Sequence, residues 1–396
     1  MAKVTSSPKA RARTLGALVA AVMAAVLVFS PAALGAADPV ASGKLKLKLS
    51  GGFKKQLKKN HVKMKPRSFK INGGDIDPTT GLGTAELKGK LTFKAGNKKL
   101  VYKKLKVKIG KGGYLKGSKG KVFKVKGGKA VRDGFGADIS GLKLKFLKSA
   151  AKKINKKLDL NSLHPGNAGK ATASNVQPEK VTLVSGSSEL KPDLGTFAKF
   201  AHHCIDPIGT GTTGEDGIAP IPPATATAAP SFVFPVASGQ INTDGSGGSA
   251  LSNGGIQIKT NILNDNAPTA GSGCATINQG TPTVLQQTDL TLDLSTKQIQ
   301  AHIVISGTEN ATLDGDKGVA FIGSVTPSAV TTDPVTRTVS FSNAPAAFNA
   351  TSALVLNGAF PCDLNSGLDP TTGCTGAFAF VAGDPIGTVS FTGQAQ

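Results

Sequence analysis

The chain has 396 residues, among them 47 Lys+Arg, 24 Asp+Glu, 49 Gly, 22 Pro and no Trp. This length predicts two or three domains, because single cores rarely grow far beyond about 250 residues, and the composition disfavours a collagen, a coiled coil and a polytopic membrane protein. The formal charge of +23 is unevenly distributed. Residues 38–190 carry 37 Lys+Arg and 9 Asp+Glu, a net +28, whereas residues 191–396 carry 6 and 15, a net −9.

The first 37 residues are typical of a cleaved signal peptide. A basic stretch over residues 3–13 precedes an apolar stretch over 15–29, which is short for a membrane span. Small residues around Ala36 and Ala37 fit the cleavage site. We therefore expect a protein that is secreted or held at the extracellular cell surface, and an uncleaved anchor is the alternative.

Period-two alternation predicts antiparallel sheet in the basic half. In the segments 44–49, 105–109 and 142–146, apolar residues alternate with lysine, which is the pattern of strands with one buried and one solvated face. From Phe146 to Leu158 the apolar spacing becomes helical and predicts a short basic amphipathic helix. We expect this helix to pack on its own domain, and a position on a membrane surface is the alternative.

An internal duplication divides the chain. The matched segments are 69–76 with 234–241, 83–87 with 248–251, and 166–173 with 383–390. A stretch that fits a short helix precedes the last segment in each copy, and chance similarity of Gly-rich turns is the alternative explanation. We predict a mainly β (β-rich α+β) fold with two tandem antiparallel β domains, at 41–180 and 181–396, each with a short late helix.

The second copy repeats the alternation over 290–294, 299–305 and 338–341, with Thr, Asp, Gln or Ser in place of lysine. The segment Thr210–Ala229 is rich in Gly, Thr, Pro and Ala, and we expect an exposed loop or linker there.

All four cysteines lie in the second copy, and an even number in an exported chain predicts disulfides. Three pairings are possible. A Gly/Asp/Pro-rich loop separates Cys362 from Cys374 and favours that pair, which leaves Cys204 with Cys274. Zinc binding is the alternative, but the spacings match no compact zinc motif.

The loop Asp77–Thr84 (Asp-Pro-Thr-Thr-Gly-Leu-Gly-Thr), the strand Leu87–Phe93 and the late amphipathic helix followed by a strand resemble the HtaA domain. This domain occurs in secreted and surface haem-uptake proteins of actinobacteria. The resemblance covers most of the first copy and, more loosely, the second. It implies a β-rich domain with a few short helices, usually in tandem, that binds haem through a tyrosine near its start and a nearby histidine.

At the positions that match the haem ligands of the HtaA domain, this chain has other residues. Gln56 and Phe200 stand where the resemblance places the tyrosine, and Gly96 and Asn97 stand where it places the histidine of the first copy. Neither Gln nor Phe has the phenolate oxygen that ligates ferric iron.

Two phenols remain as candidate cofactor-binding residues, Tyr102 and Tyr114. Tyr102 lies in a lysine-rich strand, where a place on the sheet surface is the alternative to a ligand role. The five histidines are scattered and fit no catalytic motif. Asp314-Gly315-Asp316 resembles a calcium loop only faintly, and we interpret it as a turn. We therefore expect a protein without catalytic or metal sites.

Lysines at alternate strand positions of the first copy predict a positive surface that attracts anionic polymers. The candidate anion-binding residues are Lys44, Lys46, Lys48, Lys106, Lys108, Lys143 and Lys145. The alternative is solvation and protection of sheet edges. Nucleic acid is disfavoured as a partner, because no aromatic residues are interleaved for base stacking.

From these observations we expect an exported, non-enzymatic cell-envelope binding protein without a cofactor. Its basic first domain would associate with an anionic cell-wall or membrane-surface polymer. The alternative is a protein that binds or transports haem or a haemoprotein through non-standard ligands.

Overall fold

The computed structural model describes residues 37–160, 162–201, 203, 205, 217–227, 231–260, 282–308, 312–360, 368–369, 373–374 and 378–396. Strands dominate and helices are few and short, so the fold is mainly β, as the alternation predicted. The predicted signal peptide lies, up to residue 36, outside the described residues.

The first unit comprises the strands and helices between residues 38 and 178. Its strands are β1 (Asp38–Leu49), β2 (Lys63–Lys65), β3 (Ser68–Ile76), β4 (Gly83–Lys88), β5 (Leu91–Ala95), β6 (Lys98–Tyr102), β7 (Leu105–Ile109), β8 (Tyr114–Gly117), β9 (Gly120–Lys126), β10 (Lys129–Asp133), β11 (Gly136–Phe146) and β12 (Gly166–Pro178). Its helices are α1 (Gly51–Lys59) and α2 (Lys148–Leu158).

The main sheet of unit one is antiparallel and closes on itself. The strand order is β11-β12-β1-β3-β4-β7-β8-β9, and β9 pairs again with β11. β10 lies beside β11, and β2, β5 and β6 form a separate small sheet. The buried residues of these strands form one hydrophobic cluster. Phe53 and Phe123 pack against Phe146 in it, with ring centroids 5.1 and 5.8 Å away.

The helices of unit one follow from their sequences. Ser50 caps α1, because its Oγ accepts a hydrogen bond from the backbone N–H of Phe53 at 3.2 Å. The predicted amphipathic helix is α2, whose buried side holds Ala151, Ile154 and Leu158. It contacts β6 and β9, so it packs on its own unit as expected.

The second unit begins at Lys180. Its strands are β13 (Lys180–Pro192), β14 (Gly217–Ile221), β15 (Thr225–Ala226), β16 (Phe232–Asn242), β17 (Gly248–Ser252), β18 (Gly255–Lys259), β19 (Val284–Asp293), β20 (Gln298–Ser306), β21 (Gly315–Val325), β22 (Thr331–Asp333), β23 (Thr338–Phe348), β24 (Leu368–Asp369), β25 (Gly373–Cys374) and β26 (Pro385–Ala395). Its helices are α3 (Leu194–Ala201) and α4 (Ala350–Ala359).

The two units share one strand order. Unit two closes in the order β23-β26-β13-β16-β17-β19-β20-β21, with β20 pairing with β19 and β21 with β23. Each of these strands has a counterpart in the order of unit one, including the pairs β3 and β16, β4 and β17, and β12 and β26. These are the segments that match in the sequence, so the duplication is present in the fold.

One sequence-based expectation for unit two is wrong in part. The segment Thr210–Ala229 was expected to be a loop or linker, but residues 217–221 form β14 and pair with β18. Ile218 is buried, so apolar burial holds this strand in place. Pro220 is tolerated because β14 lies at the edge of the sheet.

A single residue, Glu179, connects the last strand of unit one to the first strand of unit two. Its N–H donates a hydrogen bond to the Pro39 carbonyl at 2.6 Å, and its own carbonyl accepts one from the N–H of Thr243 at 3.0 Å. Phe135 of unit one is buried in a hydrophobic cluster of unit two. The units therefore pack against each other directly.

Candidate functional site

Unit two contains an apolar cavity of about 330 Å³ between α4 and the strands β19 to β21. A smaller space of about 80 Å³ adjoins it, since Gln287, Ile322 and Leu356 line both. Other aliphatic residues of the larger cavity are Leu285, Ile303, Ile305, Ala320 and Val355. Its volume lies at the lower end of the range that small-molecule sites have, roughly 300–1,000 Å³.

Side-chain hydrogen bonds hold α4 as one wall of this cavity. Asn349 caps the helix by accepting a hydrogen bond from the N–H of Ser352 at 2.8 Å, and its Nδ2 donates to the carbonyl of Phe321 at 2.8 Å. The Oγ of Ser352 donates to the carbonyl of Ile322 at 2.7 Å. These bonds tie the start of α4 to β21. Val355 of this helix lines the cavity, whereas its neighbour Leu354 is exposed.

Polar residues are a minority of the lining of the larger cavity: Gln287, Gln298, Lys317, Asn349, Thr351 and Ser352. Lys317 is held by hydrogen bonds from its Nζ to the carbonyls of Thr312 at 3.1 Å and Asp314 at 2.7 Å. Val319 lines the cavity and is 46% exposed, so apolar surface continues to the rim. Among the described lining residues there is no carboxylate, imidazole, thiol or phenol. The arrangement favours binding of an apolar molecule by burial.

The residues that line the cavity also bear on whether it can hold haem through an iron ligand. Haem iron in proteins takes a side-chain ligand such as His, Tyr, Cys or Met, and the described lining residues include none of these. The described residues of the cavity therefore do not supply an iron ligand.

The residues that cap α1 and α3 shift the match between Gln56 and Phe200 by one residue. Ser50 and Asp193 occupy the same position before α1 and α3, since each accepts hydrogen bonds from the following turn. Counted from these caps, Gln56 corresponds to Lys199. Phe200 instead corresponds to the buried Leu57. Phe200 lies in the core of unit two, with its ring 4.7 Å from that of Phe380.

Gln56 and Lys199 are both engaged with the segment before the last strand of their unit. The Oε1 of Gln56 accepts a hydrogen bond from the backbone N–H of His164 at 3.2 Å. The Nζ of Lys199 lies 2.7 Å from Asp384 Oδ2 and 3.1 Å from the carbonyl of Ala379. Both side chains therefore have structural partners at the position where the resemblance implied a ligand.

The structure separates the two tyrosines. Tyr102 is 1% exposed and lies in the core of unit one, not on the sheet surface. Its hydroxyl has no hydrogen-bond partner among the described residues, and burial raises its pKa to about 12. Tyr114 is half-buried on β8, with the Nζ atoms of Lys116 and Lys121 about 5 Å from the centre of its ring. Neither tyrosine lines the cavity of unit two.

The described histidines near the second unit's core are also engaged. His203 is buried, and its two ring nitrogens lie 2.5 Å from the carbonyl of Phe360 and 3.1 Å from that of Phe378. His302 lies 2.8 Å from Asp316, and because Gly315 and Asp316 begin β21, the interpretation of this segment as a turn is wrong in part. Asp316 also accepts a hydrogen bond from the Gly318 N–H, and these bonds hold its pKa below the usual aspartate value.

Four lysines stand side by side across four neighbouring strands of unit one. Lys48 of β1 is opposite Lys170 of β12, Lys170 is opposite Lys143 of β11, and Lys143 is opposite Lys126 of β9. All four are exposed, and we call them the lysine row. A groove of about 650 Å³ is lined by the four lysines of the row and by Lys145, and its described lining includes no acidic residue.

The structure brings together only some of the lysines predicted to bind anions. Lys48, Lys143 and Lys145 line the groove. Lys44 and Lys46 lie further along β1, Lys106 is 3.5 Å from Glu86, and Lys108 is half-buried opposite Tyr114.

The sequence reasoning missed Lys126 and Lys170. The alternation Lys124-Val125-Lys126 would have shown Lys126. Lys170 lies among Gly, Ala and Thr, where no apolar alternation points to it.

The predicted disulfides lie outside the described residues. Cys204, Cys274 and Cys362 are not described, and of Cys374 only the backbone is, in β25. Within the described part of the chain, no helix is long and apolar enough to cross a membrane.

Comparison with known proteins places the chain beside solved structures only. No family model and no curated protein matches it. Among crystal structures it is similar to the C-terminal domain of HtaA from Corynebacterium glutamicum, with 14% identity, 55% of this chain and 99% of that chain covered, and a TM-score of 0.35. It is also similar to the N-terminal domain of the same HtaA, with 11% identity, 54% of this chain and 98% of that chain covered, and a TM-score of 0.33. A third similar structure is that of the haem binding protein HtaB from the same organism, with 12% identity, 55% of this chain and 96% of that chain covered, and a TM-score of 0.31. Two of these structures bear the name of the domain that the sequence resembles.

Proposed function

We propose that the protein is an exported, non-enzymatic binding protein that takes haem, or the haem of a haemoprotein, as cargo in the apolar cavity of unit two. The cavity carries this proposal, because it combines an aliphatic lining with an apolar rim at Val319. A porphyrin ring is flat and apolar on both faces, and burying it removes apolar surface from water. The resemblance to the HtaA domain and the name of HtaB make haemin the first probe.

The absence of an iron ligand among the described lining residues gives this proposal a distinctive consequence. If burial of the ring provides the affinity, iron-free protoporphyrin IX binds about as tightly as haemin, within roughly threefold, which is about 0.7 kcal/mol. Titration of the purified protein with each compound, followed by absorbance and by fluorescence, measures both affinities. Saturable binding of neither compound contradicts the proposal, and binding of haemin alone contradicts the ligand-free mode.

A matched pair of variants on α4 locates the site. Val355→Trp fills the cavity and should weaken binding at least about tenfold, whereas Leu354→Trp adds the same side chain at an exposed position and should leave binding unchanged. Circular dichroism checks that both variants fold. Equal affinities in the two variants would place the ligand elsewhere.

A second function, attachment of unit one to anionic envelope material, is favoured by the lysine row and its groove. Such attachment is electrostatic, so it weakens as salt shortens the range of the interaction to about 3 Å at 1 M. Sedimentation of the protein with isolated cell-wall preparations should therefore fall steeply between about 0.05 and 1 M salt. Retention at 1 M salt would rule out this mode of attachment.

A further inference from the structure

The lysine row has no explanation in the protection of sheet edges. Lysines on an edge strand discourage pairing with another chain, but β1, β12, β11 and β9 are each hydrogen-bonded to strands on both sides. The sheet is closed at this place. The lysines therefore do not serve to block an exposed edge.

The fold itself does not require these lysines either. In unit two the counterpart of the row begins with Lys191 of β13, opposite Thr388 of β26, which is opposite Pro345 of β23. The same positions of the same fold thus hold one lysine, one threonine and one proline. In unit one, by contrast, lysines lie opposite each other at these positions, and like charges in this arrangement destabilise a sheet.

A second row runs parallel to the first and widens the basic surface. Lys145 of β11 is opposite Lys124 of β9, Lys124 is opposite Tyr114 of β8, and Tyr114 is opposite Lys108 of β7. Neighbouring strands lie about 4.8 Å apart, so the four members of the lysine row span roughly 14 Å across the strands. Positive charge is therefore repeated along a line perpendicular to the strands.

From this arrangement we infer that the groove binds a linear phosphodiester polymer whose chain runs along the lysine row, across the strands. This inference rests on the envelope attachment proposed above and names its ligand. A linear polymer can present a phosphate at regular intervals to the successive lysines of the row. Charge complementarity carries the choice, since the described lining holds Lys48, Lys126, Lys143, Lys145 and Lys170 and no acidic side chain.

The test compares two double variants with the same change of charge. Lys143→Gln with Lys170→Gln removes the centre of the row, and Lys152→Gln with Lys156→Gln removes two exposed lysines of α2. The probe is synthetic poly(glycerol phosphate), with glycerol 3-phosphate as the monomer and vesicles containing phosphatidylglycerol as the flat surface. Binding is measured by calorimetry on the full mature chain between 50 and 300 mM salt.

We expect the row variant to bind the polymer about tenfold more weakly, and its salt slope to fall by about 1.4 for two lost phosphate contacts. The helix variant should change affinity less than about twofold. The row variant should also be at least as stable as the wild type, because it removes like-charge repulsion. A melting temperature at or above that of the wild type would exclude unfolding as the cause of weaker binding.

The remaining outcomes each contradict something specific. If both double variants lose affinity equally, net charge alone acts and the row is not a site. If vesicles bind as tightly as the polymer and the row variant does not alter this, the surface docks on lipid. If the wild type binds none of the probes at 50 mM salt, the proposed envelope attachment fails together with this inference.

Discussion

Tyr102 shows how little a single residue's type reveals about its place. The sequence offered a haem ligand or a surface position, because lysines surround it, but the side chain lies in the core with its ring 6.1 Å from that of Phe93. β6 belongs to the small second sheet, where Leu100 and Tyr102 share the buried face. The lysines before Tyr102 gave no sign that its ring lies on the buried face of β6.

Tyr102→Phe should raise the free energy of unfolding by about 1 kcal/mol, because it removes a buried hydroxyl that has no hydrogen-bond partner among the described residues. The pKa of Tyr102 is raised from 10.0 to about 12 by burial, so the stability of the wild type falls as pH rises from 10 towards 12, where only the unfolded state ionises. The variant should lose less stability over that range. Urea unfolding at neutral and alkaline pH measures both effects.

Tyr114→Phe serves as the control, since Tyr114 is half-buried and keeps its two lysines over the ring when the hydroxyl is removed. A Tyr102→Phe variant that is clearly less stable than the wild type would mean that the hydroxyl has a partner. Haemin binding should be the same in both variants, because neither tyrosine lines the cavity.

At the scale of elements, local pattern predicted strands well and their partners less well. Alternation gave β1, β7 and β11, and the helical spacing gave α2. It did not give α1, where only Phe53 and Leu57 are buried among four lysines. The closure of the sheet depends on pairing of β9 with β11, a choice of partner that alternation leaves open. Because alternation does not identify strand partners, the sequence predicted a lysine face but not the row of lysines across the strands.

Gly169 of β12 illustrates the close approach that the pairing of β12 with β1 demands. A Cβ atom at this position would lie 2.1 Å from the carbonyl oxygen of Lys48, and the φ of +130° disfavours any side chain. We expect Gly169→Ala to lower the free energy of unfolding by more than about 2 kcal/mol. Urea unfolding followed by circular dichroism measures this change.

Gly52→Ala is the matched control, because a Cβ atom there meets nothing within 4 Å and the residue lies in α1. This variant should be more stable than the wild type by about 0.5–1 kcal/mol. If the two alanine variants have the same stability, the close approach at β12 is not as tight as described.

At the scale of the whole molecule, the contact between the units contains a buried carboxylate. Asp38 is 2% exposed and accepts hydrogen bonds from the N–H of Thr182 at 3.1 Å and from its Oγ1 at 2.8 Å. Burial raises the pKa of Asp38, and the bonds from Thr182 and the charge of Arg132 offset this only in part. Its contribution to stability is therefore complete below pH 3.8, the ordinary aspartate value, and is lost as pH rises through the raised pKa.

Two substitutions separate the charge of Asp38 from its hydrogen bonds. Asp38→Asn keeps an oxygen for Thr182 and removes the buried charge, so its melting temperature at neutral pH should equal or exceed that of the wild type. Asp38→Ala leaves the N–H and hydroxyl of Thr182 without this acceptor and should lower the melting temperature by several degrees, corresponding to about 1–3 kcal/mol. Calorimetry at neutral and acid pH measures the melting temperatures of both variants. An Asn variant as unstable as the Ala variant would show that the charge of Asp38 is needed.

The connection through Glu179 joins two units of opposite net charge. It joins unit one, whose residues 38–178 carry a net charge of +29, directly to unit two, whose residues 180–396 carry a net charge of −9, so the two joined units form an electric dipole. In the field of a negatively charged wall, such a dipole turns its positive end inward. The apolar cavity belongs to unit two, so in the proposed attachment it would lie outside the unit that contacts the wall.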